Sequence, residues 1–178
     1  LVSAANLLGN NPTLIVYGTN PDSAASQASQ IAGVDRVISL HDDCFAAYDS
    51  SSWSTSIGTV CPDGHVICSS SSRGKEVAAR IAAMRETPII QDVVKIEGNI
   101  VTHPIYSGKA LESLSLNQES VVTIRANSFE LSGGGNSAEI STINQSADVF
   151  TAIKDMIAKA SERLDVTEAN IIISGGRG

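Results

Sequence analysis

Thr13-Leu14-Ile15-Val16-Tyr17-Gly18-Thr19-Asn20-Pro21-Asp22 decides the fold of this chain. Its first six residues are almost wholly apolar and end at glycine, the pattern of a strand covered on both faces in a parallel sheet. Thr19 to Asp22 supply turn and helix-cap chemistry. Ala24, Ala25, Ala28, Ile31 and Ala32 then share one helical face, which Gly33 closes. Val34 to Leu40 returns to a strand pattern, completing a β-α-β unit. Upstream, Leu1 to Gly9 reads as the second half of a helix with a glycine C-cap.

The alternation continues downstream. Asp42 to Val60 is weakly patterned around the serine run Ser50-Ser51-Ser52-Trp53-Ser54, and reads as a helix interrupted by loop. Pro62-Asp63-Gly64 marks a turn before the strand His65 to Cys68. A helix follows with Val77, Ala78, Ile81, Ala82 and Met84 inward. Beyond Pro88 the period changes: Val93 to Ile96 and Ile100 to His103 flank Glu97-Gly98-Asn99 as a β-hairpin. Strand-like runs recur at Leu111 to Leu116, Ser120 to Arg125 and Glu139 to Ile143, the last after the polar loop Ser132 to Ser137. Asn144-Gln145-Ser146 matches a glycosylation sequon but reads as a helix start, with Val149, Phe150, Ile153, Met156, Ile157 and Ala160 inward. The expected architecture is α/β: three layers, a mostly parallel Rossmann-like sheet with helices on both faces, and an antiparallel hairpin extension.

The chain has 178 residues and a formal net charge of -7, with 19 acidic against 12 basic side chains and no Lys/Arg cluster. That balance argues against nucleic acid or an anionic membrane as partner. No stretch approaches the about 20 apolar residues of a membrane span. The three cysteines, Cys44, Cys61 and Cys68, form no C-x-x-C pair and suit a reducing compartment.

Candidate chemistry is sparse. Ser69-Ser70-Ser71-Ser72-Arg73-Gly74-Lys75 follows a strand and opens a helix, where a phosphate meets free N–H groups. It lacks the first glycine of a Walker loop and sets Lys75 before a glutamate, so a serine-capped helix start is the simpler reading. With Gly18 to Asp22 it could form the phosphate site of a free-standing AMP- or ATP-binding module. His41, His65 and His103 are scattered without metal spacing. Cys44 has no sequence-evident base, which weighs against a hydrolase-like enzyme and for a small buried thiol. Trp53 reads as a packing anchor. No catalytic residue and no metal ligand is assigned. The closing Ile171-Ile172-Ile173-Ser174-Gly175-Gly176-Arg177-Gly178 reads as a strand delivering a glycine-rich loop, suited to bringing N–H groups and a guanidinium to a phosphate or flavin.

Four segments together resemble the alpha subunit of the electron transfer flavoproteins: Ile31 to Val37, Thr87 to Ile96, His103 to Leu111, and the closing Ser174-Gly175-Gly176-Arg177-Gly178. His103, Ser107 and Lys109 depart from the family's usual arginine, alanine and asparagine, and Gln91 replaces a serine. The resemblance implies an amino-terminal α/β domain over residues 1–169, with a further strand and more of the first helix ahead of Leu1. Residues 170–178 would open a FAD-binding domain, most of which lies outside this chain. It also implies a non-enzymatic electron carrier that pairs with a beta subunit. Such a carrier takes electrons from acyl-CoA dehydrogenases onto FAD and passes them to a quinone oxidoreductase. The expected compartment is the mitochondrial matrix in a eukaryote and the cytoplasm otherwise. By the same resemblance Arg177 contacts the flavin or its pyrophosphate, while this chain alone binds no cofactor.

Overall fold

β1 (Thr13–Gly18) lies parallel to β2 (Arg36–His41), with Thr13 opposite Arg36 and Gly18 opposite His41. The structure, a computed structural model, describes residues 1–9, 12–148 and 171–175. β2 pairs on its other edge with β9 (Glu139–Asn144), also parallel, so β9 joins the sheet from nearly a hundred residues away. β1 is the terminal strand of this ladder, and Tyr17 is 42% exposed. The strand is therefore not covered on both faces along its length, as its apolar run had suggested.

A second parallel ladder holds β3 (Val66–Ser69), β8 (Val121–Ile124) and β4 (Ile89–Val93), in the order β3-β8-β4. β8 is central and buried throughout, as a strand with neighbours on both edges should be. The hairpin expected around Gly98 is present as β5 (Lys95–Glu97) and β6 (Ile100–Ile105), extended antiparallel by β7 (Ala110–Ser115). Its inward pair Ile96 and Val101 is buried; the outer side is wet.

Helices fill both faces. α1 (Val2–Leu8) and α2 (Asp22–Ala28) lie on one side, sharing a cluster in which Val2 packs near Ala25, Ala28 and Val37. α3 (Ser50–Val60) and α4 (Ser72–Met84) pack on the other, where Ile57, Val77 and Ile81 meet Ile38, Leu40 and Val121. A third cluster joins Ala4 of α1 to Ile90, Val93, Ile96 and Val122.

Several details differ from the sequence expectation. α2 stops at Ala28, a turn early, because Ile31 leaves to bridge Gly134. Gly33 still matters: its φ is +84°, and a Cβ there would lie 2.3 Å from Nδ2 of Asn6 on α1. Gly9 caps α1 in extended rather than left-handed backbone. Met84 is 51% exposed rather than inward. Asn144 ends β9, and the N–H of Gln145 donates to His41 O, so the sequon belongs to a strand end. The helix expected over Val149 to Ala160 lies outside the described residues.

Candidate functional site

The carboxyl ends of β3, β8 and β4 converge on a cleft of about 850 Å³, the place where open α/β sheets bind ligands. Ser70, Asp92 and Arg125 line it, and the buried Thr123 ties Ser70 to Asp92. Ser70 N–H donates to Ile124 O at 2.8 Å, and its hydroxyl bonds the Thr123 hydroxyl at 2.9 Å. Thr123 Oγ1 also accepts the Asp92 N–H at 2.9 Å, and Asp92 takes the Arg125 guanidinium on its carboxylate. Asp92 has a φ of +66° and sits where the β4–β8 register shifts between Ile90 and Val93. Aspartate is among the few side chains that tolerate this backbone. The Arg125 hydrogen bond holds Asp92 below the usual carboxylate range against the opposing effect of burial; Ser70 and the Lys75 charge assist.

The serine-rich start of α4 folds onto itself. Ser71 Oγ accepts the Gly74 N–H at 3.1 Å, and the Lys75 N–H donates to Ser71 O at 2.8 Å. Ser69 and Ser71 hydroxyls meet at 3.0 Å. A Cβ on Gly74 would lie 2.2 Å from Ser69 O, so only glycine allows the loop to press this closely. Arg73 turns away, its guanidinium 4.9 Å from the ring centre of Tyr48. The helix start is thus capped by its own serine, as the simpler sequence reading has it, and its neighbouring arginines are committed elsewhere.

A second cleft, about 640 Å³, separates the outer edges of β1 and β3. Tyr17 and Trp53 stand at one end of it, within a group in which Trp53 packs edge-on to Tyr17, Phe45 and Tyr48 at 5.0–5.5 Å. Trp53 Nε1 donates to Cys44 O and Ala47 O at 3.1 and 3.0 Å, so it is the anchor the sequence suggested.

The remaining candidates are structural. Cys44 is buried, and burial together with the Asp42 carboxylate pushes its thiol up to about 12, leaving no thiolate for nucleophilic work. Asp42 accepts from Cys44 N–H, Ser56 Oγ and Ala147 N–H at 2.8–3.0 Å. Asp22 lies in the first turn of α2 rather than capping it, and instead bonds His41 at 2.8 Å and Ser39 at 3.0 Å. His103 meets Glu112 at 3.0 Å. Among the described residues no group of three His, Cys, Asp or Glu could hold a metal. No described helix is long and apolar enough to cross a membrane. Asp42, which with Asp43 reads from the sequence as a helix-capping pair, caps the 3-10 turn Asp43–Ala46; sequence reasoning missed Asp92, because a single aspartate carries no periodic signal. Arg177 lies outside the described residues.

Residues 1–148 match the model of the electron transfer flavoprotein domain. Relatives named electron transfer flavoprotein subunit alpha include those of Bacillus subtilis, 32% identical over 92% of this chain and 54% of its own length, and of Syntrophomonas wolfei, 27% identical over 100% and 59%. The Arabidopsis thaliana relative, whose name adds "mitochondrial", is 30% identical over 99% of this chain and 54% of its own length. The chain thus spans little more than half the length of these curated relatives.

Proposed function

The chain belongs to the electron transfer flavoprotein family, and from that premise we propose that residues 1–169 are the amino-terminal α/β domain of an alpha subunit and 170–178 the opening of its FAD-binding domain. The domain acts as scaffold and as interface toward a beta subunit. The assembled carrier takes electrons from acyl-CoA and related dehydrogenases and passes them to a quinone oxidoreductase. In a eukaryote it works in the mitochondrial matrix, in accord with the name of the plant relative.

The observation that supports a scaffold role is the self-satisfied crevice. A flavin or nucleotide pyrophosphate needs unspent N–H donors and a cation fork. Here Ser71 spends the Gly74 N–H, Asp92 spends Arg125, and Tyr48 engages Arg73. The described residues do not fit FAD. Arg177 supplies a cation to the flavin or its pyrophosphate only in company with residues outside this chain.

Titration separates this reading from an AMP- or ATP-binding module. Calorimetry of the chain with FAD and with AMP should give no tight binding of either. Micromolar AMP affinity that disappears in Lys75→Ala would establish the nucleotide module instead.

A further inference from the structure

Gly58 lies in the last turn of α3, and Met84, the last residue of α4, lays its thioether against it. A Cβ at Gly58 would stand 3.1 Å from Met84 Cε and 3.8 Å from Sδ, so the thioether methyl crowds the space that any other residue would fill. Ile81, one turn back on α4 and fully buried, closes the same notch from the core side, its Cγ1 3.9 Å from that position. Met84 closes it from the solvent side and is 51% exposed.

This contact shuts the corner where α3 and α4 end together. The next residue, Arg85, donates from Nη2 to Pro62 O at 2.9 Å, just past the end of α3. Between them Cys61 caps α3, packed against the cluster that holds Ile57, Val77 and Ile81. Burial pushes the Cys61 thiol up, against the opposing Arg85 charge. Cys61 is thus kept unreactive by packing to which Met84 contributes the outer layer.

We propose that Met84 is an oxidation-sensitive latch on the α3–α4 junction: conversion to its sulfoxide releases the two helix ends and bares Cys61. The oxidant is a hydroperoxide. Met84 Sδ attacks its terminal oxygen, the O–O bond breaks as the S–O bond forms, and the proton passes to the departing alkoxide, which leaves as an alcohol. Sulfur loses two electrons and the hydroperoxide gains them. The oxidised side chain is polar and carries an oxygen that needs a donor or water. The notch offers neither, since the N–H groups of this last turn are spent inside α3. The sulfinyl group therefore swings outward and takes the methyl out of the notch. A methionine sulfoxide reductase reverses the step.

Treating the chain with tert-butyl hydroperoxide, followed by peptide mass spectrometry, thermal melting and timed alkylation of Cys61, tests this. Met156 is the other methionine of the sequence, so Met84→Leu is the control that removes the sulfur of the latch alone. Gly58→Ala, whose new methyl pushes the thioether outward, keeps the sulfur but not the contact. The proposal expects a sulfoxide at Met84 to lower the thermal midpoint by about 3 °C or more and to speed Cys61 alkylation at least about fivefold. Reductase treatment should restore both. Met84→Leu should show neither change on exposure to hydroperoxide, and Gly58→Ala should gain the oxygen with little further fall in its midpoint. A sulfoxide at Met84 with an unshifted melt and unchanged Cys61 alkylation would overturn the proposal. So would an equal response in Met84→Leu, an undiminished fall in Gly58→Ala, or a Met84 that resists the reagent.

Discussion

The carboxylate of Asp42 accepts the N–H of Ala147 at 3.0 Å, tying the end of β2 to the segment that follows β9. The same buried carboxylate accepts from Cys44 N–H and Ser56 Oγ, so one side chain satisfies three donors from three places in the chain. Asp42→Ala leaves those donors unpaired and should cost about 3 kcal/mol, because each stranded buried donor is expensive. Urea denaturation of the variant measures it; a loss below about 0.5 kcal/mol would contradict the hub role.

Asp42 also gives a pH signature. Burial raises its pKa, but the Cys44, Ser56 and Ala147 hydrogen bonds outweigh burial and leave it below the ordinary 3.8. A depressed carboxylate stabilises the fold fully above its unfolded pKa, and the contribution disappears as pH falls through the lower folded value. Stability should therefore drop below about pH 4. In Asp42→Asn that drop should be shallower, as read from thermal midpoints across an acid series.

Asp92 separates backbone tolerance from charge. Asp92→Asn keeps a side chain suited to the left-handed backbone and loses only the full charge on Arg125; the pair is partly exposed and should cost about 1 kcal/mol. Asp92→Val places a β-branched residue at a φ of +66° and should cost about 2 to 3 kcal/mol. Equal losses in chemical denaturation would mean that the backbone there carries no strain.

Gly74→Ala should destabilise by about 2 kcal/mol or more, since the new methyl meets the Ser69 carbonyl oxygen, a backbone atom that cannot rotate aside. The loop Ser69 to Ser71 would have to lift from α4. Near-ultraviolet dichroism and calorimetric melting would register the change, and an unshifted melt would show that the loop is not held down.

The fold was legible where local pattern and packing agree. Thr13–Gly18 is a strand because its apolar run has no competing period, and Gly98 turns a hairpin because its φ of +60° is one glycine takes readily. α3 was hard to see because its buried residues include Ser50, Ser52, Ser54 and Ser56, which no hydrophobic period reports. Their hydroxyls find partners, Ser54 within the helix on Ser50 O at 2.7 Å and Ser56 outside it on Asp42 at 2.8 Å, so small polar side chains pack where apolar ones would be expected. β4 was obscured by the left-handed Asp92 that breaks its ladder. The hydrogen-bond network at the cleft was illegible for another reason: Ser70, Asp92, Thr123 and Arg125 meet only through long-range pairing of β3, β4 and β8.

The central claim, an alpha subunit's scaffold domain, is tested most directly by co-expressing the open reading frame that contains this chain with an electron transfer flavoprotein beta subunit and recording the absorbance of the purified complex. The account predicts a one-to-one complex with a bound-flavin spectrum, and less flavin per complex in Arg177→Ala. A protein that purifies without the beta subunit, carries no flavin and instead binds AMP would contradict it.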